Sequence, residues 1–280
     1  MKTQIRMITG KILQYLNHLQ DNDFIAEVIT SKPLTELCDI INTLLRSKDE
    51  EVVSLACLFI RDLIQLNRDH PSCKEFAEKY PQSSIVKTVE QLLFSTSHFI
   101  RRHAIYTLGK TCSYNSVGAL NRAFIELRDT DPLMLPWLIG EMRWLGAENP
   151  WELVESMMAS SSFMTRWAVL ENLEYSYRDV QDELYERVCQ YLERLRQDLN
   201  TYVRQETEYK YQLLRFRSEM DKLPKADRKK RRRALEHEYN PSLHFSSISS
   251  AFTYHLSTKG LEQYSVDELE AFVTDMARVR

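Results

Sequence analysis

The sequence predicts an all-α fold of paired helices followed by one long helix. Three observations carry that prediction. Six glycines and eight prolines in 280 residues are few for a sheet protein, which spends both on tight turns. Apolar residues recur with helical spacing from about Pro33 onward. The second helix of several pairs also repeats one signature, a bulky apolar residue, three others, then Ala.

Taken in order, residues 5 to 29 read as one or two helices capping the N-terminal end, with a polar stretch from Asn17 to Asp23. The pairs that follow are expected at 34–46 with 49–66, 84–95 with 98–112, 117–128 with 132–146, and 150–159 with 162–176. Asp131-Pro132 and Asn149-Pro150 each set a capping side chain before a proline at the first helical position, where the missing N–H costs nothing. From Asp179 to Lys222 there is no Pro or Gly, and apolar residues from Leu184 to Met220 recur at roughly 3.5-residue spacing, so this stretch is expected to form one long helix. Such a helix offers a dimerisation surface. Pro224 restarts the chain in a basic helix that Asn240-Pro241 ends, and helices at about 246–257 and 265–279 close it. Ser265 and Glu268 form a capping box at the start of the last one. These readings set a first domain at 1–177 and a C-terminal extension at 178–280.

The repeated signature runs Val52-x3-Ala56-x3-Ile60, Ile100-x3-Ala104-x3-Leu108 and Met164-x3-Ala168, with a degenerate copy in which Gly140 stands for Ala. A small residue there lets the helices of neighbouring repeats approach closely. The segment Phe99-Ile-Arg-Arg-His-Ala-Ile-Tyr-Thr-Leu-Gly109 resembles the inner helix of HEAT and armadillo repeats, in which a bulky aliphatic, a basic residue, an Ala and a Leu recur. Arg101 matches the basic position, which Val53 and Thr165 occupy in other copies. The resemblance covers about half of the chain. It implies a right-handed α-α solenoid of about four helix pairs, whose concave face is lined by the inner helices. Arg101, Arg102, Glu141, Arg143, Trp144, Arg166 and Glu174 are the residues expected on that face, where a protein partner would lie.

Composition narrows the function further. Net charge is −3, which argues against a chain that coats nucleic acid or anionic membrane over its whole surface. Yet Lys222 to Arg233 holds eight basic residues against one acid, a local +7 that leaves −10 on the remainder. Within it Lys225, Arg228, Lys229, Lys230, Arg231, Arg232 and Arg233 are candidates for an anionic partner, nucleic acid among them, unless acidic residues such as Glu206, Glu208, Glu219, Glu236 or Glu238 neutralise them internally. Five scattered cysteines without a CxxC pair read as reduced core thiols of a cytoplasmic protein, and no metal or other cofactor is expected. The N-terminus shows no signal-peptide apolar stretch and no run reaches membrane-spanning length.

No phosphate loop, GxGxxG, GxSxG elbow or HExxH motif occurs, so no catalytic residue is assigned. The cluster Trp137, Glu141, Arg143, Trp144, Arg166 and Trp167 loosely resembles the cleft of the HEAT-fold alkylpurine DNA glycosylases, where tryptophans, a carboxylate and an arginine hold a damaged nucleotide. The HEAT-like bilin lyases are a more distant likeness, because the chain lacks their Gly- and Ala-rich repeats. The expectation is therefore a non-catalytic binding scaffold, with nucleic-acid binding through 222–233 as the alternative.

Overall fold

The structure is a computed structural model that describes residues 33–65, 71–147, 151–176 and 182–279. The expected cap at 5–29 and the Asn149-Pro150 start lie outside the described residues. Every regular element among the described residues is helical. The helices are α1 (Leu34–Leu45), α2 (Glu50–Gln65), α3 (Pro71–Lys79), α4 (Ser84–Leu92), α5 (His98–Lys110), α6 (Val117–Leu127), α7 (Leu135–Trp144), α8 (Trp151–Met158), α9 (Phe163–Ser176), α10 (Asp182–Leu195), α11 (Thr201–Glu219), α12 (Lys225–Tyr239), α13 (Phe245–Lys259) and α14 (Val266–Val279). The helices of all four expected pairs appear at their expected places, and α1–α2, α4–α5 and α8–α9 pack on each other. The helix α3 is additional: its apolar residues are too few for a periodic signal, although Cys73 and Phe76 are buried.

The described residues form two compact units, one reaching to Glu126 and including 137–147, the other comprising 127–136 and the residues from Trp151 onward.

In the first unit two helix pairs stack layer on layer: α1 packs on α2, α4 on α5, α1 on α4 and α2 on α5. In one layer Asn42 of α1 donates to Ser84 Oγ and accepts from Thr88 Oγ1, both at 2.8 Å. In the other, Ala56 and Ala104 are fully buried, and the Thr107 hydroxyl of α5 reaches the Cys57 carbonyl of α2 at 3.4 Å. A side chain bonding to a neighbouring helix's backbone requires the close approach that small residues permit. Gly140 has a different role. It is exposed, and a Cβ placed on it would meet nothing within 4 Å; Leu138 and Ile139 beside it are buried.

In the second unit α9 is the hub, packed against α8, α10, α11, α13 and α14. Here the predicted long helix is two. The chain turns at residues 196–200, so α10 and α11 form another antiparallel-type pair, packed on each other. The local cause is Asn200, whose side chain accepts from the Tyr202 and Val203 amides and starts a new helix. Of the expected seam, Val188, Tyr191, Leu195 and Phe216 are buried within the unit, as are Leu192, Val203 and Leu214 beside it. The unbroken 179–222 helix on which the dimerisation surface was expected is thereby replaced by two shorter helices.

One turn recurs between helices, and it is the most regular device in the molecule. At the start of α5, Ser95 Oγ accepts from the Ser97 amide, Ser97 caps the helix, and Arg101 Nη1 donates to the Ser95 and Thr96 carbonyls at 2.6 and 2.8 Å. At the start of α9, Ser160, Ser162 and Arg166 do the same, with Arg166 Nη1 2.8 and 2.9 Å from the Ser160 and Ser161 carbonyls. At the start of α11, Asp198, Asn200 and Arg204 repeat it, with 2.6 and 2.8 Å to the Asp198 and Leu199 carbonyls. The start of α2 has the first half of the device, Ser47 and Asp49, but Val53 stands where the arginine would be. A guanidinium suits the place because its Nη1 carries two N–H groups and so reaches both carbonyls at once. This register also shifts the α9 copy by one: Arg166, and not Thr165, is the counterpart of Arg101.

At the C-terminal end the predicted capping box is present in both directions. Ser265 N–H donates to Glu268 Oε2 at 2.7 Å, and Glu268 N–H to Ser265 Oγ at 3.2 Å. Asp131 departs from its expected role. Pro132–Met134 is a 3-10 turn without a side-chain cap, and the buried Asp131 carboxylate instead accepts from the Tyr264 hydroxyl at 2.5 Å.

Candidate functional site

The residues that carry chemistry in the first unit meet where α5 faces α2 and α7. Arg102, Tyr106 and Lys110 are four apart and share one face of α5. Arg61 of α2 sits over the Tyr106 ring, its guanidinium carbon 4.6 Å from the centroid, and Lys110 Nζ lies 5.2 Å from the same ring. Lys110 is also 5.5 Å from the Trp144 ring, while Arg102 lies 5.2 Å over Trp137. Tyr106 and Trp137 meet edge to face at 6.2 Å. The result is a ladder of alternating cations and aromatic rings. Each such contact is worth about 0.5–1 kcal/mol when exposed, so its main effect is to fix the directions of long side chains. Trp137 and Trp144 remain 37% and 64% exposed.

Below the ladder lies Glu141, only 7% exposed. Burial pushes its carboxyl above the ordinary range, and the Lys110 charge offsets part of that. The space it fills exists because Gly109 has no side chain: a Cβ there would fall 1.8 Å from Glu141 Oε2 and 2.8 Å from its Cγ. G109A is therefore expected to eject the Glu141 carboxylate into water and return its titration to the ordinary carboxylate range. Carboxyl-resolved NMR titration of wild type and G109A checks this, and an unchanged Glu141 midpoint would refute it. His103, on the adjoining side of α5, is lowered to about 4 by burial and then by the charges of Arg61 and Arg102, so it is neutral at pH 7.

Of the residues expected on the partner-binding face, Arg102, Glu141 and Trp144 belong to this ladder or its floor. Arg143 is half-buried on α7, and burial lowers its guanidinium. Arg101 and Arg166 are committed elsewhere, to the carbonyls of their own turns, and Arg166 is further tied to Asp198 by Nε and Nη2 at 2.6 and 3.0 Å. Glu174 is on α9, and its side chain lies outside the described residues. Trp167, from the glycosylase-like cluster, is a core residue: it is fully buried, stacks on Tyr202, and donates to Glu206 Oε2 at 2.6 Å. Arg61 and Lys110 were missed in the sequence, although the spacing of 102, 106 and 110 was there to be read.

In the second unit the basic segment forms α12. Lys225, Lys229, Lys230, Arg231, Arg232 and Arg233 are exposed, Arg228 is half-buried and donates to the Leu223 carbonyl at 3.0 Å, and Leu235 is the buried residue of the helix. Arg232 also pairs with Glu236 at 2.9 Å. Of the five acids that might have neutralised the run, Glu236 does pair with it, whereas two are engaged elsewhere. Glu206 is buried with His244 and Lys210, and Glu208 pairs with Arg196 at 2.5 Å.

No helix among the described residues is long and apolar enough to cross a membrane. No family model matches the sequence. A search of curated proteins likewise finds no match. Among solved structures, the chain is similar to the designed armadillo repeat protein YIII(Dq.V1)4CPAF in complex with the peptide (KR)4, at a TM-score of 0.41 and 14% identity over 74% of this chain and 90% of that one. It is similar also to the designed armadillo repeat protein YIII(Dq)4CqI, at a TM-score of 0.37 and 13% identity over 76% of this chain and 92% of that one.

Proposed function

We propose that this chain is a non-catalytic binding scaffold that holds an acidic segment of a partner protein against the α2–α5–α7 surface. The observation that carries the reading is the ladder itself, in which Trp137 and Trp144 stay exposed while Arg61, Arg102 and Lys110 hold their surroundings in place. Aromatic and arginine side chains dominate the energetics of protein interfaces, and rings already held in position lose little freedom on binding. Glu141 is withdrawn beneath the surface, while Arg102 and Lys110 stand against the rings above it. An acidic partner segment complements that arrangement. The ladder offers cations and ring faces for contact and no metal-type cluster among the described residues, which favours binding as its use.

The test is a photo-crosslinking amino acid at position 144 of the full chain, expressed in its native host, with one at Tyr254 on α13 as an exposed control. One dominant protein adduct is expected at 144 and not at 254. Added wild-type chain should compete it away, and a W137A/W144A chain should compete at least tenfold less well. Equal adduct patterns at both positions, or equal competition by the two chains, would overturn the reading.

A further inference from the structure

The helix α12 has no role in that surface. We infer that it is a contact for the phosphate backbone of double-stranded nucleic acid, made without base recognition. Three features of the helix lead there. Its exposed charge is dense, since six exposed basic side chains fall between Lys225 and Arg233, about 12 Å of helix axis at 1.5 Å per residue. Its positive charge also covers the outer side of the helix and one flank. At 100° per residue, Leu235 marks the side facing the protein; Lys229, Lys230 and Arg233 point away from it, Lys225 and Arg232 lie to one flank, Arg231 lies near Leu235's own side, and the other flank holds Asp227 and Glu238. Finally, its exposed surface from Lys225 to Ala234 has no apolar side chain larger than Ala.

Each feature separates one anion from another. A protein partner needs a desolvated centre of aromatic or aliphatic contact, and α12 offers none. A membrane surface meets only one side of a helix and holds it through an apolar face, which is absent here. The major groove of a duplex is about 12 Å wide and places phosphates on both of its walls. Laid along one wall of that groove, α12 sets its outer side and its Lys225–Arg232 flank on phosphates and turns the flank of Asp227 and Glu238 away from them. Without interleaved aromatic residues, stacking on single-stranded bases has no platform. Arginine supplies three of the six exposed groups, and its planar fork matches phosphate oxygens in pairs.

The experiment uses the full chain and a fluorescent 20-base-pair duplex, in DNA and RNA forms, with anisotropy read from 50 to 300 mM salt. Binding is expected at the low end, with log affinity falling against log salt at a slope of about −4 to −5 if five phosphates are neutralised. K229A/K230A/R233A, all exposed positions, should lower affinity at least tenfold and flatten that slope, with the circular dichroism spectrum unchanged. Two unrelated duplex sequences should bind alike. The inference is overturned if no duplex binds at 50 mM salt, if the triple variant binds as wild type does, or if polyglutamate or phosphatidylserine vesicles bind as tightly as duplex at equal anion concentration. The W137A/W144A chain should bind duplex normally, so failure of either proposal leaves the other standing.

Discussion

Glu206→Ala is expected to destabilise the second unit by about 3–5 kcal/mol, the usual cost of breaking a buried charged network from one side. At 1% exposure, the carboxylate accepts from the Trp167 indole at 2.6 Å and the Phe245 amide at 2.8 Å, while His244 Nδ1 lies 3.2 Å and Lys210 Nζ 3.7 Å from its other oxygen. Removing it strands the indole and the first amide of α13 without an acceptor and takes away one of the two carboxylates that flank Lys210. The same residue makes the unit sensitive to acid. Burial alone would raise the Glu206 carboxyl, but the His244 hydrogen bond, the Lys210 charge and the Phe245 amide outweigh it and hold the carboxyl below its ordinary range. A depressed native value means that the unfolded chain takes up the proton first. The contribution is therefore complete above the unfolded value of about 4.3 and is lost as pH falls through the native one. The gap between wild type and E206A, measured as urea resistance of hydrogen exchange in α9, α11 and α13, should be wide at pH 7 and narrow by pH 3. An equal gap at both would contradict the assignment.

Arg166→Ala is expected to have the second large effect, also about 3–5 kcal/mol, because it opens a partly buried ion pair and a turn together. One guanidinium makes two bonds to Asp198 and two to the Ser160 and Ser161 carbonyls, with side-chain exposures of 15% for Arg166 and 5% for Asp198. Lysine restores the charge without the fork, so R166K should recover less than half of the loss. Arg204 makes the two carbonyl bonds but reaches only the Thr201 hydroxyl besides, at 2.9 Å, and R204A should cost about 1–2 kcal/mol. Urea midpoints of the three variants give the order; R204A at or above the cost of R166A would refute the argument that the inter-turn pair carries the difference.

Helix pairing was legible in the sequence because its causes are local. Periodicity, Pro224, Asn240-Pro241 and the Ser265–Glu268 box each act within a few residues, and the helices begin and end near them. The break at 196–200 was also written locally, in Asp198-Leu-Asn200, but an apolar seam continued across it and hid the cap. Glu206 interrupts that seam. Its meaning depends on Trp167 and Phe245, each 39 residues away. Candidate-site residues were harder to read, since a one-residue rotation decides whether a side chain faces a partner or its own turn. Arg101 and Arg102 illustrate it: one is clamped to two carbonyls, and its neighbour lies over Trp137. The spacing Ser-x-Ser-x3-Arg, with Asp and Asn in the α11 copy, would have separated them. Nothing local marks Arg61 as the partner of Tyr106, which comes from the next helix pair.

The stretches Ser95 to Arg101, Ser160 to Arg166 and Asp198 to Arg204 each contain both the bend and the side chain that locks it. Such a joint sets its own angle. A gene that copied or lost a whole hairpin of helices, cutting outside these stretches, would leave the remaining corners true, so length can change without redrawing the parts that stay.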